Sequence, residues 1–233
     1  YKNKSIKLHI YEINQYEGKI FPKENQKLSF LSTNNSNEKF IESTYRIINY
    51  MSLPRYMQIT PEDIINILDD KIYKKSNINM IRFRSKNISP NDYIKKARAY
   101  SMICIKNDIK LILDAKYYEY YQDLKYSGIH YTSEELEYLD NNVSTKSNKF
   151  LMYSASCHDI KEINMANRLN LDFIILSPVL ASKYNSDPIG WNKFKKLSLE
   201  ANMPVFALGG ISQSDLDICL LNNGYGISGI KDF

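Results

Sequence analysis

From Pro54 onward the apolar and polar positions fall into a repeating order, in which short runs rich in β-branched and aromatic residues alternate with longer amphipathic stretches. The short runs predict strands over Tyr56 to Thr60, Met80 to Arg84, Leu111 to Ala115, Gly128 to Tyr131, Phe150 to Ser154, Phe173 to Ser177, Val205 to Leu208 and Gly226 to Ile230. The longer ones predict helices over Asp92 to Lys106, His158 to Leu169, Trp191 to Ala201 and Ser214 to Leu221, several opened by Ser, Asp, Asn or Pro. Strand and helix joined alternately by short links imply parallel strands with right-handed crossovers, and eight such units in about 180 residues predict an α/β fold, a small (β/α)8 TIM barrel. An open doubly wound sheet is the alternative. It is disfavoured because no G-x-G-x-x-G follows the first strand.

Ahead of this pattern, Ile6, Leu8 and Ile10 alternate with polar neighbours from the first residues, as in a strand already in progress. The chain opens on Tyr1, so this segment reads as the tail of something longer, and no charged region followed by an apolar one marks a secretory signal. Composition narrows the class further. The net charge of +5 over 233 residues divides as +3 over residues 1–52 and +2 over the rest, too even for an electrostatic nucleic-acid binder. With 43% hydrophobic and 24% charged residues the chain is neither disordered nor fibrous, and no apolar run approaches the ~18 residues of a membrane span. Three widely spaced cysteines, Cys104, Cys157 and Cys219, match no disulfide framework or metal-ligand spacing and point to a reducing, cytoplasmic location.

Five of the eight glycines lie in the last 25 residues, as Gly209, Gly210, Gly224, Gly226 and Gly229. Glycine lets backbone N–H groups converge on an anion, and the loops after the seventh and eighth strands of a barrel commonly build a phosphate site. Gly209, Gly210, Ser228 and Gly229 are therefore the candidate phosphate-binding residues. The simpler alternative is turn glycines that only reverse the chain.

Several segments carry a family resemblance. Ile81-Arg-Phe-Arg-Ser-Lys86, Gly128-Ile-His130, Ser156-Cys-His158, Asp172 through Pro178, Pro204 through Gly210 and Gly224 through Ile230 resemble, in order and at the expected strand ends, thiamine phosphate synthase and the related thiazole tautomerase. Residues 53–233 would be that barrel. Residues 1–52 resemble the C-terminal part of a Nudix hydrolase of the 8-oxo-dGTP diphosphatase kind, on Tyr16-Glu-Gly18, Lys23 to Gln26, an apolar strand ending at Leu31 and a helix from Phe40 to Met51. The Nudix box is absent; Glu24 matches an auxiliary carboxylate, and Thr44 stands where that family reads the oxidised base with asparagine.

The synthase resemblance implies coupling of a thiazole phosphate to a pyrimidine methyl diphosphate, with pyrophosphate expelled and magnesium as cofactor. Arg84 and Lys86 match its diphosphate-binding pair, and their i, i+2 spacing at a strand end would turn both side chains to one face. The alternative is a solvated basic strand end, Arg82 included. Asp114, His130 and Ser156 join the substrate-binding set. The magnesium ligands are incomplete, because the family's Asn-Asp-Asp reads Asp114-Ala115-Lys116 and its second aspartate falls at Glu135, which also suits the first turn of a helix. A family lysine on the sixth loop is Asn185 here.

His158 stands where the tautomerase branch places its acid–base group, so it is the catalytic candidate. His130 reads equally as a satisfied core histidine, and Cys157 as a buried thiol. Three functions follow: a synthase-like transferase, a tautomerase-like isomerase or non-catalytic thiazole phosphate binder, and a parent protein acting through a Nudix half. The expected partners are small phosphorylated molecules, with no nucleic acid and no membrane. Since the chain ends three residues past the eighth strand, Phe40 to Met51 is expected to pack as a helix over the outer faces of strands one and eight.

Overall fold

A computed structural model of the chain describes residues 13, 15–23, 27, 42–61, 78–86, 88–142, 151–181 and 187–230. The chain divides into two compact units, Tyr1–Lys39 and Phe40–Phe233. The alternating run Ile6, Leu8 and Ile10 and the Nudix-like features at Glu24 to Gln26 and the strand end at Leu31 lie outside the described residues, as does Asn185. Helix α1 (Glu42–Met51) belongs to the second unit, so the division falls ahead of the boundary at 52 and 53 expected from the sequence. Its Ile47, Ile48 and Tyr50 are half-buried, and Tyr50 packs on the same outer core as Tyr56 and Ile227 of the first and last strands.

Eight strands follow: β1 (Tyr56–Ile59), β2 (Met80–Phe83), β3 (Lys110–Asp114), β4 (Gly128–Tyr131), β5 (Met152–Cys157), β6 (Phe173–Leu176), β7 (Val205–Ala207) and β8 (Gly226–Gly229). They close in sequence order into a barrel, every neighbouring pair parallel and β8 beside β1. The described helices between them are α2 (Pro90–Lys106), α3 (Ser133–Asn142), α4 (Ile160–Arg168), α5 (Gly190–Ser198) and α6 (Leu216–Leu221). Two 3-10 turns, Ala115–Tyr120 and Gln213–Asp215, complete the set.

Local sequence explains these boundaries. Ser89 caps α2 by accepting the Asp92 N–H, with Pro90 in the first turn where a missing N–H costs nothing. Thr132 and Glu135 form a reciprocal capping pair on α3, and Asp159 caps α4. Asp108, Asn170 and Asn223 take positive φ just after α2, α4 and α6, where a short polar side chain tolerates the left-handed conformation that ends a helix.

Alternation along each strand sorts residues into two cores. The outward set, including Ile81, Phe83, Leu111, Leu113, Ile174 and Leu176, packs under the helices. The inward set, Met57, Ile59, Met80, Ile112, Phe173, Ile175 and Phe206, fills the barrel. Toward the C-terminal strand ends the interior becomes polar, with Arg82, Asp114, His130, Ser154 and Ser228 all buried. That change gathers buried polar side chains at the mouth where barrel sites are commonly built.

Candidate functional site

The β2 and β3 ends are held by a buried ion pair. Arg82 follows Met80 by two residues, so its side chain enters the barrel, where Nη2 donates to Asp114 Oδ1 at 3.1 Å. Arg82 is 5% exposed, so the alternative of a solvated basic strand end does not hold for it. The other carboxylate oxygen accepts the Ser85 N–H at 3.2 Å. Burial pushes the Asp114 carboxyl above its ordinary range, opposed by Arg82, the Ser85 N–H and Lys116. Tyr93 fixes the same corner: its hydroxyl donates to the Phe83 carbonyl and accepts the Asp114 N–H at 2.8 Å. Asp114 thus orients Arg82 and the loop after β2.

Arg84 and Lys86 lie just beyond β2, which ends at Phe83. Thr60 extends the ladder by one side chain, since its Oγ1 accepts the Arg84 N–H at 2.9 Å and donates to the Arg84 carbonyl at 3.1 Å. Arg84 is half-buried and Lys86 exposed. Lys116, after β3, reaches back to donate to the Lys86 carbonyl at 3.1 Å, which draws a third cation to this loop.

His130 is a satisfied interior residue. The Ser154 hydroxyl donates to the Ile129 carbonyl, so Nδ1–H of His130 donates to Ser154 Oγ at 2.9 Å and Nε2 accepts the Ser156 hydroxyl at 2.9 Å. Burial first, then Arg82 and Arg84, hold the imidazole well below its usual pKa. In the unfolded chain it titrates near 6.5, so below that pH the unfolded state binds the extra proton and stability falls. Between pH 7 and 5, His130→Gln is expected to flatten the fall in unfolding free energy by up to about 1.4 kcal/mol per pH unit. Denaturant unfolding at several pH values measures it; an unaltered slope would show that His130 is not buried neutral.

His158 differs. It precedes Asp159, the cap of α4, so it is not the first helical residue that the sequence suggested. Its Nδ1–H donates to the Ser177 carbonyl at 2.8 Å, which fixes the tautomer and leaves the Nε2 lone pair as the basic position on an exposed ring. Ser177 itself was not singled out from the sequence; a serine closing β6 beside a histidine closing β5 is the signal that could have found it.

The two glycine clusters separate in role. Gly209 and Gly210 adopt φ of 99° and 64°, and a Cβ on them would meet Pro178 Cα at 2.9 Å and the Ala181 carbonyl at 2.4 Å. Only glycine lets this loop turn and lie against residues 178–181. The N–H groups of Gly209, Gly210 and Ile211 donate to no described protein acceptor, an arrangement of the kind that receives an anion. Ser228 and Gly229 are buried in β8, and the Ser228 hydroxyl is spent on the Ala207 carbonyl at 3.0 Å. The Ser228 side chain is thus turned to the barrel wall, while the open N–H groups lie after β7.

Magnesium does not fit these residues. Both Asp114 oxygens are committed to Arg82 and Ser85, Glu135 Oε2 accepts the Thr132 N–H at 2.7 Å, and Ala115 and Lys116 offer no oxygen ligand side chain. Among the described residues no group of three or more His, Cys, Asp or Glu side chains could hold a metal ion. Cys104, Cys157 and Cys219 are buried free thiols, and burial pushes Cys104 and Cys219 up to about 12 and Cys157 higher still, so none is a nucleophile here. Among the described residues no helix is long and apolar enough to cross a membrane.

Comparison with known proteins agrees with this architecture. A thiamine monophosphate synthase family model matches residues 56–233. A protein of Aquifex aeolicus named as a candidate thiamine-phosphate synthase 2 is 28% identical over 190 residues, 78% of this chain and 99% of its own. The thiamine-phosphate synthase of Limosilactobacillus reuteri is 27% identical over 67% of this chain and 75% of its own. Among solved structures, thiamine phosphate pyrophosphorylase from Pyrococcus furiosus superposes with a TM-score of 0.63 at 17% identity, covering 76% of this chain and 85% of that one, a likeness of fold. These matches concern the barrel and do not show a Nudix segment ahead of it. The chain belongs to the thiamine monophosphate synthase family, a family of thiamine biosynthesis.

Proposed function

We propose that the barrel binds a thiazole phosphate at its C-terminal mouth and couples it to a pyrimidine methyl diphosphate. The observation that carries this reading is the unspent row of N–H donors at Gly209, Gly210 and Ile211, on the same mouth as Arg84, Lys86 and Lys116. Backbone donors suit the single phosphate of the thiazole, and the cations suit the more highly charged diphosphate. In the reaction the thiazole ring nitrogen supplies the electron pair of the new C–N bond. The C–O bond of the pyrimidine methylene breaks, its pair goes to the diphosphate, and pyrophosphate leaves. Arg84, Lys86 and Lys116 offset the negative charge that grows on that leaving group.

Because Ala115 and Lys116 replace two carboxylates, coupling by the natural chain is expected to be slow and insensitive to added magnesium. Ala115→Asp with Lys116→Asp is expected to make it magnesium-dependent, read as thiamine phosphate formed per enzyme in single-turnover mixtures with and without chelator. Efficient magnesium-stimulated turnover by the natural chain would contradict this account of the site.

A second reading is a thiazole phosphate isomerase. The fixed tautomer of His158 favours it, since Nε2 is an available base at the same mouth. For the N-terminal segment, the resemblance of residues 1–52 to a Nudix remnant supports only a structural contribution to the chain.

A further inference from the structure

The turn after β7 is tied to the chain after β6, and the ties run in one direction. Building on the proposed phosphate site, we infer that Val179 and Leu180 are its positioning residues, because two hydrogen-bond chains of aligned peptides pass through them and end on the Gly209 and Gly210 N–H groups.

In the first chain the Ile189 N–H donates to the Pro178 carbonyl and the Val179 N–H donates to the Leu208 carbonyl, each at 2.9 Å. In the second the Gly190 N–H donates to the Val179 carbonyl and the Leu180 N–H to the Gly209 carbonyl, again each at 2.9 Å. A trans peptide holds its C=O and the following N–H in opposite directions. The bond accepted by the Leu208 carbonyl therefore turns the Gly209 N–H away from the segment after β6, and the bond accepted by Gly209 does the same for the Gly210 N–H. In an extended strand successive carbonyls alternate between the two neighbours. Here both face the same neighbour, and the chain departs from the extended form at Gly209, where φ is 99°.

Each chain is three peptides deep, and its dipoles add with the positive end at a glycine N–H. Helix N-termini bind anions by the same alignment, here assembled from three separate segments. Hydrogen-bonded peptides also polarise one another, so each terminal N–H is a stronger donor than an isolated one. Packing keeps the middle of both chains in place, since Val179 is fully buried and Leu180 is half-buried against the outer core. Two strengthened donors on adjacent residues suit two oxygens of one phosphoryl group.

The test replaces one backbone amide at a time with an ester, by placing the α-hydroxy acid counterpart of leucine at 180 or of valine at 179 in the full chain. Each ester removes one N–H and leaves the side chain as it is. Amide resonances are followed while thiazole phosphate is titrated in. In the natural chain the Val179 and Leu180 amides are expected to shift with those of Gly209 and Gly210, because polarisation travels along each chain; stationary Val179 and Leu180 amides would overturn the inference without any variant. The ester at 180 is expected to weaken binding about threefold to tenfold, the loss of one backbone hydrogen bond, and to shrink the bound-state shift of Gly210 while that of Gly209 persists. The ester at 179 is expected to do the reverse. Leu180→Ala keeps the N–H and should retain both shifts. Equal loss at both glycines in the two ester chains would reduce residues 179 and 180 to general support of the loop and overturn the inference, as would unchanged affinity. No saturable shift at Gly209 and Gly210 in the natural chain would instead overturn the phosphate reading itself, and this inference with it.

Discussion

Asp114→Ala is expected to lower the stability of the barrel by about 3–5 kcal/mol, because it leaves the Arg82 guanidinium buried without its counter-charge. Arg82 is 5% exposed, its Nε lacks a partner, and Asp114 is its ion-pair partner among the described residues. At roughly 2–4 °C per kcal/mol for a chain of this size, the melting temperature should fall by on the order of 10 °C. Breaking one side of the pair is the costly step, whereas replacing both sides with apolar groups of similar volume is often neutral. Arg82→Met combined with Asp114→Leu is therefore expected to recover most of the loss. If Asp114→Ala melts as the natural chain does, the pair does not hold the mouth together and the positioning of the Arg84 loop needs another explanation.

His158→Ala is expected to reduce any proton transfer on a bound thiazole by about 10²–10⁴-fold, the usual contribution of a placed acid–base group, while thiazole phosphate still binds. The separation follows from the geometry: the anion donors are backbone N–H groups after β7, and the imidazole projects from the end of β5. His158→Gln provides the control, since its amide can still donate to the Ser177 carbonyl but cannot serve as a base. Both variants should lose turnover and keep affinity, a fall in kcat with little change in KM. An equal loss of binding and turnover would make His158 a phosphate contact.

The barrel itself was legible because a fully parallel closed sheet leaves a strong imprint. Each strand needs one apolar face for the interior and one for the helices, which produces the short dense runs seen from Tyr56 to Gly229. Element ends were less legible. The helix after β5 was expected from His158 but begins at Ile160, because the sequence does not say that Asp159 is the residue that accepts the Glu162 N–H.

Site residues divided by whether their role is local or made by closure. His158 at a strand end and the Gly209-Gly210 turn are local features, which the sequence alone marks as candidates. Arg82 could not be read correctly from its basic surroundings, because its meaning depends on β3 bringing Asp114 alongside. The period-two pattern Met80, Arg82 against Ile81, Phe83 did hold the clue: a cation on the face of Met80 points inward and needs an acid. Ser228 shows how closure changes the surroundings of a candidate: its neighbouring glycines suggest an anion loop, while the barrel pairs it with Met57 and turns its hydroxyl to the Ala207 carbonyl.

The central claim is that a phosphorylated thiazole docks on the turn after β7 at the C-terminal mouth. Its most direct test is a titration of the isotopically labelled chain with thiazole phosphate, followed by the backbone amide resonances. Saturable shifts are expected at Gly209, Gly210 and Ile211, with smaller ones at His158, and with inorganic phosphate competing at the same three amides. Shifts confined to the opposite end of the barrel, around the cavity of about 470 Å³ lined by Ser52, Asn79, Asp108 and Lys110, or no saturable shift at all, would contradict it.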